Sequence, residues 1–135
     1  MNSLNKIWRY LFYGLMGFHA LYQFSFGAMA LLHPQSLQAS FSFDVKAGPE
    51  TFLLVGILAF GQFFLAAIAI LSIIWISKNK TAGAILGIFL GFYFLLLGIA
   101  GLLLVGNQMV LLIDVGRGLF TIISGFVVLK NIKSA

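Results

Sequence analysis

The sequence has no cysteine, and its 135 residues include only eight basic and three acidic side chains. Without cysteine there is no disulfide, no thiol nucleophile and no thiolate metal site. Charged residues make up 8% of the chain, where a soluble domain has about 25%. Hydrophobic residues make up 61% and the mean hydropathy is +1.09. That combination excludes an ordinary soluble globule, and it excludes disorder. Enzymatic motifs are missing too. No glycine-rich loop follows a strand, no His, Asp and Glu stand at metal-ligand spacing, and no serine sits in a nucleophile elbow. The chain therefore reads as non-enzymatic, with no cofactor and no metal.

What is present suits lipid. Fifteen phenylalanines and fifteen glycines fit helices packed closely in a bilayer. The formal charge of +5 comes mainly from residues at the ends of apolar runs, where anionic headgroups and topology account for it. There is no basic stripe and no base-stacking platform, so nucleic acid is excluded as a partner. The bilayer itself is the first partner.

A membrane-spanning helix needs about 20 mainly apolar residues. Four segments qualify, at about 7–32, 51–76, 82–105 and 109–129. The first is not read as a cleaved signal peptide, despite Ala28-Met29-Ala30, because its apolar run is longer than an h-region. Little else remains. The expectation is an all-α fold, a four-transmembrane-helix antiparallel bundle forming a single membrane domain over 1–135. His33-Pro34 ends the first span. The 33–50 loop holds both prolines and two of the three acids. Within it, apolar Leu37, Ala39, Phe41 and Phe43 alternate with polar residues, a period that suits an extended surface segment. A short interfacial helix starting at Pro34 fits nearly as well. Ser77 to Thr81 is a tight polar turn, and Gly106 is placed to cap the third helix.

Lys and Arg set orientation. Lys6, Arg9, Lys78, Lys80, Lys130 and Lys133 fall on one side, and Lys46 alone on the other. Both termini are therefore expected in the cytoplasm, with a bacterial inner membrane as the setting. Trp8 and Trp75 mark the cytoplasmic boundary.

Small residues mark the packing faces. Gly83, Gly87, Gly91 and Gly98 lie on one stripe of the third helix. Gly118 and Gly125 share a face of the fourth with Asp114 and Thr121, and Arg117 lies at its edge. Ala59, Gln62, Ala66 and Ala69 share a face of the second.

Ionisable groups at membrane depth are costly and mark candidate sites. Here they are His19, Asp114 and Arg117. Tyr22 and Gln23 share the face of His19, and Gln62 lies midway along the second helix. In a compact bundle these six would form a ligand-binding cluster, with Arg117 as charge anchor, Asp114 as its partner and His19 as a proton carrier. The plainer alternative is structural. Asp114 and Arg117, at i,i+3, neutralise each other, and the other polar groups bond across helices. His19 and His33 have the spacing of a stacked haem pair, yet axial ligation needs partners that the two histidines alone do not supply.

The layout resembles the DoxX-like group of small bacterial four-helix membrane proteins. The features are Leu32-His33-Pro34, a short outer loop, Glu50, Leu54-Val55-Gly56 through Gly61-Gln62, a glycine-rich third span and a short fourth. That resemblance implies a link to quinone-dependent sulfur oxidation or to an oxidative-stress complex, hence a quinone-linked redox subunit as a further alternative, and it carries over no catalytic residue. The leading functional expectation is an accessory or assembly subunit that packs through glycine faces, in a homo-oligomer or with other membrane subunits. The alternative is a transporter or small-ligand-binding protein using the His/Asp/Arg cluster.

Overall fold

A computed structural model describes residues 3–33, 49–106 and 109–133. Its elements are all helices: α1 (Ser3–Leu32), α2 (Pro49–Ser77), α3 (Thr81–Val105) and α4 (Met109–Lys133). Among the described residues, each of the four is long and apolar enough to cross a membrane. The protein is thus an all-α, four-helix membrane protein. The helices run past the apolar segments at several ends. The 30 residues of α1 span about 45 Å, against a hydrocarbon core of about 30 Å. Lys6 and Arg9 therefore lie inside the helix. Helical hydrogen bonding continues wherever propensity allows, whereas hydropathy registers only the lipid-immersed part. The alternating 37–43 segment, Pro34 and Lys46 lie outside the described residues.

The chain divides into two compact units, one made of Met1–Phe18 with Ile68–Ala135 and the other of His19–Ala67. In the first unit, close approach of backbones does the packing. A methyl group added at Gly118 would fall 2.6 Å from the Leu95 amide nitrogen and 2.8 Å from the Gly91 carbonyl oxygen. At Gly98 it would lie 2.9 Å from both the Leu111 carbonyl oxygen and the Val115 amide nitrogen. The paired residue numbers rise on α3 as they fall on α4, so the two helices are antiparallel. The fully buried ring of Phe12 on α1 occupies the space left by Gly87 on α3 and reaches Gly125 on α4. Ser72 donates a 2.7 Å hydrogen bond to the Gly83 carbonyl, joining α2 to α3 where Gly83 also meets the backbone of Ile76. Lipid tails are as apolar as leucine, so contact area and such hydrogen bonds, rather than dehydration, hold these helices together.

The α2–α3 turn uses no spare residue. Asn79 adopts φ 56°, the Asn79 amide bonds the Ile76 carbonyl at 2.9 Å, and the Lys80 amide bonds the Trp75 carbonyl at 2.8 Å. That is the Schellman pattern, which requires a left-handed residue; asparagine tolerates this conformation better than most. Lys80 is also the extended N-cap of α3. Above it, the Arg9 guanidinium donates to the Ile76 carbonyl and, at 3.1 Å, to the Tyr13 hydroxyl. A cation thus meets the negative end of α2. At the other end of α3, Gly106 (φ 93°) caps the helix with its amide on the Leu102 carbonyl.

The second unit packs differently. Ala30, Val55 and Ala59 are buried, with Phe26 and Phe63 against them. Phe24 and Phe63 stack at a tilt, ring centroids 5.3 Å apart. Gly27 is the close approach here, lying under Phe63, Ala59 and Gln62.

Candidate functional site

The inward face of α4 repeats every three or four residues: Leu111, Asp114, Arg117 with Gly118, Thr121, Ser124 with Gly125, and Val128 are all buried. This is the helical period carried by a stripe that is largely polar, in a helix that otherwise shows Leu, Ile and Phe to its surroundings. Asp114 and Arg117 lie one turn apart on that stripe, and a 2.5 Å contact joins Arg117 Nη2 to Asp114 Oδ1. The flat guanidinium also lies over the Phe94 ring of α3, with its central carbon 3.8 Å from the ring centroid. Phe94 is itself buried. The guanidinium is therefore held by a carboxylate and by an aromatic face. Lysine could not do both, because only a planar cation stacks while bonding in its own plane. The neighbouring hydroxyls turn to their own helix: Thr121 donates to the Arg117 carbonyl at 2.7 Å and Ser124 to the Thr121 carbonyl at 3.1 Å.

Arg117 stands eight residues into α4, about 12 Å along its axis. A lone charge at such depth is expensive. Pairing within one helix neutralises it without waiting for a neighbour, and the ring of Phe94 fixes its direction.

The six polar residues singled out in the sequence divide between the two units. Asp114 and Arg117 meet in the first. The other four belong to the second, where His19 and Gln23 are fully or nearly fully buried on one face of α1, and Tyr22 and Gln62 are half-buried. Each of these four is engaged in a polar, ring or electrostatic interaction. The Gln62 Cβ sits 3.2 Å from where a Gly27 Cβ would be, placing α1 and α2 in close contact at that level. Among the described residues, no group of three or more His, Asp or Glu is arranged to hold a metal ion.

Phe94 was not singled out in the sequence, although a signal for it exists. It lies three residues after Gly91 and four before Gly98, on the glycine stripe, and so on the face turned toward α4. The Arg9 contact with Ile76 links residues 67 apart and has no local signature. Comparison of the chain with protein-family models, with curated proteins and with solved structures finds no match.

Proposed function

We propose that this protein is an accessory or assembly subunit of a membrane complex, acting through helix packing with its own copies or with other membrane subunits. The observation that carries the reading is on α2. Gly56 and Gly61 stand where an added Cβ would meet nothing within 4 Å, while Phe60 and Phe64 beside them are 74% and 61% exposed. A glycine inside a helix costs about 1 kcal/mol relative to alanine. Gly83, Gly91, Gly98 and Gly118 offset that cost with contacts inside the chain, and Gly56 and Gly61 do not. Notches beside projecting rings are the surface a second membrane helix fits. In this reading the Asp114–Arg117 pair is structural and orients α4 against α3. Extraction in native lipid with mass measurement is the test. The protein should emerge as a multimer of its 14.8 kDa chain or with stoichiometric partners, and Gly61→Leu should dissociate it without lowering its helicity. A lone monomer in native lipid overturns the proposal.

The second reading, a transporter or small-anion-binding protein, is favoured by the buried ion pair alone. A ligand carboxylate or phosphate replacing Asp114 on Arg117 is the exchange such a pair permits. Asp114→Asn should then change anion binding to the purified protein; unchanged or absent binding removes this reading.

The proposed setting is a bacterial inner membrane with both termini cytoplasmic. The exposed Lys6, Lys78, Lys80 and Lys130 support it. A cysteine introduced at Ser40 should react with an impermeant thiol reagent from outside and one at Asn79 should not; reversed labelling overturns the orientation.

A further inference from the structure

The outward face of α1 in the first unit carries a shallow groove of about 520 Å3, lined by Ile7, Tyr10, Leu11, Gly14, Leu15 and Phe18. It owes its existence to a missing side chain. Lys6, Tyr10, Gly14 and Phe18 form one i,i+4 row along the helix, and a Cβ at Gly14 would meet nothing within 4 Å. The walls are open, with Tyr10 70%, Ile7 53% and Leu11 52% exposed.

We infer that this groove seats one acyl chain of an anionic phospholipid, whose phosphate is held at Lys6. The dimensions agree. From Ile7 to Phe18 is about 16 Å of helix, roughly half of the ~30 Å hydrocarbon core and so the depth of one leaflet. The polarity agrees as well. Lys6 is exposed one helical turn before Tyr10 on the same row, and the Tyr10 hydroxyl enters at the level where amphipathic rings meet headgroups. Below them the lining is wholly apolar.

The charge of this end of the unit selects an anionic headgroup. Arg9 ties the start of α1 to the end of α2, and Phe12 ties it to Gly87 and Gly125. Lys6, Lys78, Lys80 and Lys130 therefore collect at one end of the unit. The chain's three acids, Asp44, Glu50 and Asp114, all stand at least sixteen residues away from these lysines in sequence. Anionic lipid is drawn to such a collar. The same charges disfavour a second copy in the groove. Copies inserted in one orientation and related by a two-fold axis would bring two lysine collars together.

The test is native mass spectrometry of the full chain, released from detergent after incubation with an equal mixture of phosphatidylglycerol and phosphatidylcholine. The expected result is preferential retention of phosphatidylglycerol. Lys6→Gln should lower that preference about fivefold, the effect of removing one basic residue near an anionic surface. Gly14→Leu should fill the notch and reduce retention of both lipids, with helicity unchanged because the added atoms point into open space. Should Gly14→Leu fail to insert, Gly14→Ala carries the same prediction with a smaller drop. Equal retention of the two lipids by the unaltered protein overturns the inference. So does retention insensitive to both substitutions, or a Gly14→Cys variant that crosslinks to a second copy in place of holding lipid. None of these outcomes depends on whether the protein belongs to a larger complex.

Discussion

The α3–α4 pairing and the His19–Ala67 unit solve the same problem with opposite materials. Where α3 meets α4, glycine faces backbone on both helices, with Gly91 and Gly98 on one side and Gly118 on the other. In the His19–Ala67 unit, Phe26 and Phe63 pack against the buried Ala30, Val55 and Ala59, the exposed Phe24 ring leans on Phe63, and Gly27 is the local point of closest approach. Packing by glycine removes side-chain atoms so that backbones touch, with no rotamer entropy to lose. Packing by phenylalanine supplies the atoms itself. The first arrangement should be intolerant of added atoms and the second of deleted ones. The buried Asp114–Arg117 ion pair lies in the first, where the close, rigid neighbourhood fixes the geometry that a charge in lipid needs.

The largest effect should come from removing one member of that pair. Arg117→Leu leaves the Asp114 carboxylate buried without its cation, at a cost of about 3–5 kcal/mol. The double replacement Asp114→Leu/Arg117→Leu should recover much of the loss. Unfolding titrations in mixed micelles measure both, and a double variant as unstable as the single one would show that the pair's geometry, not its charge balance, matters. Next comes Gly118→Val. Its new atoms meet the Leu95 and Gly91 backbones, which cannot swing aside as a side chain could, so a loss of about 1–3 kcal/mol follows. A neutral result in the same titration would break the comparison at its centre.

Deletion in the other unit should cost less. Phe63→Ala removes a half-buried ring and its stacking on Phe24, for about 1–2 kcal/mol, while Phe63→Leu should be milder. The smallest effect, of opposite sign, belongs to Gly61→Ala. With no atom inside the chain to collide with, the methyl should raise the stability of the isolated chain by up to about 1 kcal/mol. If that variant were destabilised instead, Gly61 would have to be counted among the glycines already in use.

Hydropathy made the four spans legible, because a helix in lipid must be continuously apolar over a known length. The inward glycine stripe of α3 was legible for a related reason: small residues at spacings of four have few other uses in a membrane helix. Of the polar residues, the Asp114–Arg117 contact was readable because i,i+3 geometry is intrahelical and needs no knowledge of the neighbours. Where His19, Tyr22, Gln23 and Gln62 stand was not readable, since it depends on how α1 and α2 rotate about their axes. Phe94 was hidden by abundance, one ring among fifteen phenylalanines. The helix ends were missed by a few residues, because hydropathy falls at the lipid boundary while backbone hydrogen bonding continues beyond it.

The turn at Asn79 has a consequence for how this protein tolerates change in length. One residue serves both as the end of the Schellman pattern of α2 and as the N-cap of α3. A single residue inserted there would rotate α3 by about 100° about its own axis. Gly83 would leave Ser72, Gly87 would leave Phe12, and Phe94 would leave Arg117 in one step. Substitutions elsewhere can be absorbed one contact at a time, but this connection works as a reading frame, and a shift of one position there rewrites every contact that α3 makes.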